Sequence, residues 1–191
     1  CKSHQDDFAN AINGVLGDHM LKDHNPLALP MILYDRNSQP QTGELSGRVV
    51  IMLHGLCMNH FSWAPQQSSG LGEHILYHQP RANVLYLNYN TGRRISSNGR
   101  TFSNVLQELI TKNPRIEKID LIGHSMGGLV ARSAIFYGKQ SDYSWVGLVD
   151  NLVCIGSPHQ GAVLERLGFM FQQKVGQVPI ASILAKLGDM R

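Results

Sequence analysis

Cysteine is scarce in this chain of 191 residues, with three in all. Cys1, Cys57 and Cys154 lie far apart and form no C-x-x-C pair, which excludes a disulfide framework and a zinc-ligand spacing. Cys154 sits in an apolar run and reads as a buried small hydrophobe. Long apolar runs are lacking too: no stretch approaches the roughly 18 residues that a membrane span requires. Lys and Arg are dispersed, and the net charge is only +3, so nothing points to nucleic acid. Neither a phosphate loop nor a dinucleotide-binding G-x-G-x-x-G after a strand occurs, and no cofactor is implied. His74 and His78 stand four apart, a spacing able to chelate a metal. No Glu follows His74 and no third ligand is evident, so no metal is expected.

What is present is an ordinary folding composition, 42% apolar and 16% charged, in a length that suits one domain. The opening Cys1 suits either a mature lipoprotein or the start of a fragment. The fragment reading, with a cytoplasmic compartment, is favoured because no signal peptide is visible. Apolar positions Phe8, Ile12, Val15, Leu16 and Met20 predict a helix over 6–22. Strands are predicted within 27–34 and over 48–53, 83–89, 119–122 and 152–155. Between them, a helix is read near 65–76 with Leu71, Ile75 and Leu76 inward, and another from Phe102 to Asn113. A third runs from Met126 to Tyr137, ending at Gly138. The segments 37–47 and 90–100 read as polar loops. Apolar strands alternating with helices define an α/β architecture, a mostly parallel sheet with helices on both faces. The stretch 162–191 carries two short apolar stripes, Leu164 to Phe171 and Ile180 to Leu187. They suit packing on the sheet or, as a sharper reading, lid or cap helices.

The chemistry is concentrated in Gly123-His124-Ser125-Met126-Gly127, a G-x-S-x-G pattern between a predicted strand and a predicted helix. A serine on so sharp a turn needs minimal neighbours, which Gly123 and Gly127 supply. The helix beginning after Ser125 aims its free amides and dipole at the reacting centre, so the Met126 N–H is one candidate oxyanion donor. His54-Gly55 follows the strand over 48–53, and the loop there supplies a second candidate donor, the Leu56 N–H. His54 itself reads as a hydrogen-bonding support for that loop, since the triad order on this architecture is serine, acid, histidine. Arg93, Arg94 and Arg100 stand at the ligand-binding edge of a parallel sheet, where a solvated loop is favoured over an anionic head-group site.

These segments resemble the α/β-hydrolase superfamily, and within it the bacterial lipases and related esterases that include GPI-inositol deacylase-like proteins. The resemblance rests on Val50 to Leu56, Leu121 to Arg132 and Ile155 to Ala162, and spans roughly residues 48 to 162. It implies a serine hydrolase of carboxylic esters acting on a small-molecule or lipid ester, with membrane-surface contact allowed and oligomeric state open. An acyltransferase using the same nucleophile is the enzymatic rival, and a non-catalytic hydrolase-like binding domain the other. His159, in a stretch resembling G-[ST]-P-H-x-G, is implied to be structural and is kept only as a low-priority base. The resemblance also implies an acid and a histidine after later strands. Asp142, Asp150 and Asp189 are poorly placed for the acid, so the expectation is a C-terminally incomplete hydrolase.

Overall fold

A computed structural model describes residues 30–56, 58–63 and 70–159. The chain divides into two compact units, Cys1–Ser157 and Pro158–Arg191. In the second, only Pro158 and His159 are described. The helix predicted over 6–22 and the stripes over 162–191 lie outside the described residues.

Among the described residues, five strands make the sheet of the first unit: β1 Ile32–Tyr34, β2 Gly47–Leu53, β3 Asn83–Asn88, β4 Ile116–His124 and β5 Val149–Ile155. Their spatial order is β1-β3-β2-β4-β5, with β1 antiparallel to β3 and the other pairings parallel. Three α-helices are described between them: α1 Leu71–His78, α2 Ile95–Lys112 and α3 Met126–Gln140. Two 3₁₀ turns, His60–Trp63 and Ser144–Leu148, complete the described elements.

Alternation along the strands sorts their side chains onto two faces. Val49, Ile51, Leu53, Leu85, Leu87, Ile119 and Leu121 join the larger core, where α2 adds Phe102, Leu106 and Leu109. From α3 come Met126, Val130, Ala131 and Ala134, and the second 3₁₀ turn contributes the fully buried Trp145. The opposite face holds Val50, Met52, Val84 and Ile122, against which Ile75 and Leu76 of α1 pack. Helices therefore cover both faces, as the apolar strands required. At the amino ends of the parallel strands, Arg48 bridges Asp120 at 2.5 Å and Asp150 at 2.6 Å, and Lys118 reaches Asp150 at 3.3 Å. Asn151 donates to Asp120 at 2.8 Å, so this ladder links β2, β4 and β5.

Four expectations are corrected. Leu71 is exposed, and Gly72 is the buried residue of the first turn of α1, lying against Val84 and Tyr86. The segment 95–100 is helical despite its Ser, Asn and Gly. Tertiary packing overrides weak propensity there, since Asn98 and Gly99 are buried and Asn98 Nδ2 donates to the Asn90 carbonyl at 2.8 Å. Gly138 does not end α3, which continues to Gln140, because the missing side chain makes room for Trp145 and Val146. Cys154 is half-buried: β5 pairs on one edge only among the described residues, and Val153 and Ile155 beside it are exposed.

The crossing of α2 over α3 depends on Gly99. A Cβ there would lie 2.5 Å from Ser133 Cβ and 2.9 Å from the Ser133 carbonyl carbon, inside contact distance of backbone that cannot swing away. Gly99→Ala is expected to cost about 1–3 kcal/mol through overpacking, read as a lower urea midpoint with an unchanged slope.

Candidate active site

The strand order reverses direction beside β2. From β2 (Gly47–Leu53) the chain goes to β3 (Asn83–Asn88) on one side, and then to β4 (Ile116–His124) on the other. In sheets of this kind such a reversal sets the usual ligand crevice between the loops that leave the carboxyl ends of the two strands, here β2 and β4. Leu53 is in register with Gly123, so His54-Gly55-Leu56 emerges next to His124-Ser125-Met126. These two segments are the ones the sequence pattern singles out, and the fold brings them together.

Ser125 sits between β4 and α3 with φ 52° and ψ −120°. A side chain rarely adopts a positive φ, and holding it costs of order 1–3 kcal/mol. The turn is held by the Ser125 N–H donating to the Ile155 carbonyl at 2.8 Å and the Gly128 N–H donating to the Ser125 carbonyl at 3.3 Å. Both glycines of the motif are sterically required. A Cβ on Gly123 would lie 2.5 Å from the Gly127 carbonyl carbon, and one on Gly127 would lie 2.7 Å from the His54 carbonyl oxygen while overlapping that of Leu53. Met126 opens α3, so its amide belongs to the first turn, which has no intrahelical acceptor. The Ser125 side chain is partly exposed and hydrogen-bonds to no described histidine or carboxylate.

Across the crevice, Gly55 approaches the turn closely: a Cβ there would meet Ser125 Cβ and His124 Nδ1, each at 3.2 Å. His54 is fully buried. Its Nδ1 lies 3.0 Å from the Gly55 carbonyl, which can only accept, so the proton is on Nδ1 and Nε2 is bare. Burial pushes the imidazole down to about 4, against a weaker upward pull from the Gly55 carbonyl. His54 is thus neutral near pH 7 and shielded from solvent. Its ring stacks on Tyr89 at 4.5 Å, and the Tyr89 hydroxyl donates to the His54 carbonyl at 2.6 Å. The sequence pattern marks Tyr89 only as the end of a strand. No local signal shows that its hydroxyl reaches the loop after β2.

Other residues fall elsewhere. Asp150 is at the amino end of β5, where Arg48 and then Lys118 hold its carboxyl below the usual range. Asp142 lies in the turn after α3, with φ 51°. His159 is exposed and belongs to the second unit. His74 and His78 stack edge to face on α1 with centroids 4.6 Å apart, and no metal-holding cluster occurs among the described residues. Arg100 lies on α2, its guanidinium 4.7 Å from the centre of the Tyr137 ring, and Arg93 Nη1 reaches Thr101 Oγ1 at 3.4 Å. The 3₁₀ turn places Trp63 edge-on to His124, with centroids 6.3 Å apart, a contact that no sequence pattern announced. No described helix is long and apolar enough to cross a membrane.

The sheet, its helices and the strand–serine–helix turn define the α/β-hydrolase class. Residues 44–188 match the family described as PGAP1-like alpha/beta domain. The chain belongs to that family. No curated protein matches it. Similar solved structures include the mature form of the Bacillus licheniformis lipase BlEst2, at 18% identity and a TM-score of 0.49, covering 73% of this chain and 51% of that one. The propeptide form of the same lipase gives 18% identity and 0.49, covering 73% and 28%. Brefeldin A esterase, a bacterial homologue of human hormone-sensitive lipase, gives 11% and 0.34, covering 75% and 46%. The chain thus spans about half the length of the mature lipase it matches.

The low imidazole value makes stability pH-dependent. His54 in the unfolded chain protonates near 6.5, whereas the folded protein resists protonation until about 4. Below about 6.5 the unfolded state therefore binds the extra proton, and stability falls until about 4, by about 3 kcal/mol in all. Urea midpoints across that range check this. His54→Gln is expected to flatten the slope, and a variant as steep as the wild type would assign the acid loss to other groups.

Proposed function

We propose that this chain is a serine hydrolase of carboxylic esters, working through an acyl-enzyme on Ser125. The observation that carries the reading is the positive-φ serine between β4 and α3, set against the loop that leaves β2. Such a turn presents the hydroxyl at the crevice while helix amides lie beside it. In this reading Ser125 attacks the ester carbonyl, and the backbone N–H groups of Leu56 and Met126 receive the developing oxyanion. Gly55, Gly123 and Gly127 supply the close approach of the two segments, and His54 and His124 support them. Water then releases the acyl group.

Serine needs a base, and the base in turn an orienting acid. Both are assigned outside the described residues, with His159 as the low-priority alternative. The family match over residues 44–188 runs across both compact units, which favours reading 1–191 as a single, partial hydrolase domain. The ester is taken to be that of a lipid or acyl chain, and membrane-surface contact is compatible with it.

A fluorophosphonate probe tests the assignment. The full-length protein is expected to be labelled at Ser125, located by mass spectrometry, and its Ser125→Ala variant to lose labelling and at least 10³-fold of any hydrolysis of short nitrophenyl esters, following the usual loss on removing such a nucleophile. Retained turnover in Ser125→Ala would sink the nucleophile assignment. Loss of labelling in His159→Ala, with the fold intact, would promote His159 to the base.

A further inference from the structure

Two buried side chains grip the loop after β2 at successive peptide groups. The first is Tyr89, one residue past the end of β3 (Asn83–Asn88). Leu87 is in register with Leu53, so Tyr89 lies on the same face of the sheet and reaches the residue that follows Leu53. Its hydroxyl donates to the His54 carbonyl at 2.6 Å. The second is His54, whose Nδ1–H donates to the Gly55 carbonyl at 3.0 Å, a carbonyl that also accepts from the Met58 N–H at 3.3 Å. The Tyr89 ring, stacked on the imidazole at 4.5 Å, fixes the plane from which His54 donates. Both side chains are fully buried.

The peptide groups here are trans, so the carbonyl and the N–H of one unit point in opposite directions. Holding the His54 carbonyl therefore sets the direction of the Gly55 N–H. Holding the Gly55 carbonyl sets the direction of the Leu56 N–H. We propose that Tyr89 and His54 form a paired positioning device that fixes the peptide planes on either side of Gly55 and so sets the Leu56 amide beside Ser125. This deepens, and rests on, the reading of that crevice as an ester-hydrolysing site. Neither residue touches the substrate. They act through the backbone by removing the rotational freedom of two peptide planes before the reaction, when a donor for a transient oxyanion must already be in place.

Burial fits the role. A hydroxyl or imidazole accessible to water would exchange its backbone acceptor for solvent, whereas a desolvated one loses its hydrogen bond only at a penalty. Simple core filling would need the ring of Tyr89 but not its oxygen, and Tyr89→Phe separates the two.

The experiment compares wild type, Tyr89→Phe and Ser125→Ala in the full chain. One readout is independent of activity: the amide signals of Gly55 and Leu56 in a proton–nitrogen NMR spectrum. The other is turnover of a short nitrophenyl ester. Tyr89→Phe is expected to displace both amide signals while those of the distant β5 (Val149–Ile155) stay in place. It is also expected to lower kcat about tenfold with KM within about twofold, because a misaimed donor is missed chiefly in the transition state. Unmoved Gly55 and Leu56 signals would overturn the proposal, and so would displaced signals with an unchanged kcat. A full-length wild type that neither turns over the ester nor takes a fluorophosphonate at Ser125 would instead sink the hydrolase reading. The amide signals would then decide the positioning claim alone, displacement supporting it and constancy refuting it.

Discussion

Everything at the crevice depends on one close approach: the carbonyls of Leu53 and His54, at the end of β2, lie against Gly127 in the first turn of α3. Backbone meets backbone there, with no side chain between. That contact brings the loop after β2 alongside the turn at Ser125. Any Cβ at Gly127 would push the helix start off the strand end and open the crevice. The same logic holds one turn away, where Gly123 lies under Gly127 and Gly128. The strained backbone of Ser125 is sustained because both flanking elements are fixed by the core: β4 paired on both edges, between β2 and β5, and α3 through Val130, Ala131 and Ala134.

The rest of the fold holds that contact in register. Parallel pairing of β2 with β4 sets Leu53 opposite Gly123, so the two loops leave the sheet at the same level. The reversal of strand order beside β2 then separates their connections and leaves room above them. At the other end of the strands, the Arg48, Lys118, Asp120 and Asp150 ladder links β2, β4 and β5 where no loop crossing does so. All but the buried Asp120 are partly exposed, so the ladder's value is more in alignment than in net stability.

Much of this was legible from residue order. Val49–Leu53 is a continuous apolar run, as a strand covered on both faces requires, and Ile119–Ile122 is apolar but for Asp120. Gly123 and Gly127 around Ser125 are legible because a serine between glycines, after a strand and before a helix, satisfies a steric demand that few other arrangements make. Helix boundaries were less legible. Ile95 to Arg100 carries loop-forming residues, yet burial of Asn98 and Gly99 against neighbouring elements outweighs their propensity. Trp145, fully buried in a 3₁₀ turn, and Cys154, half-buried on β5, were decided by where their elements lie in the sheet, which local pattern does not encode.

The sequence alone determined the fold class, the central strands and the serine turn, because each follows from short-range sterics or from periodicity along the chain. Tertiary structure alone decided that His54 and Tyr89 meet. The two lie far apart in sequence, and their contact rests on the direction of a hydrogen bond and the stacking of two buried rings. Those properties come into being only when β3 is laid beside β2 in a particular register and water is excluded from between them.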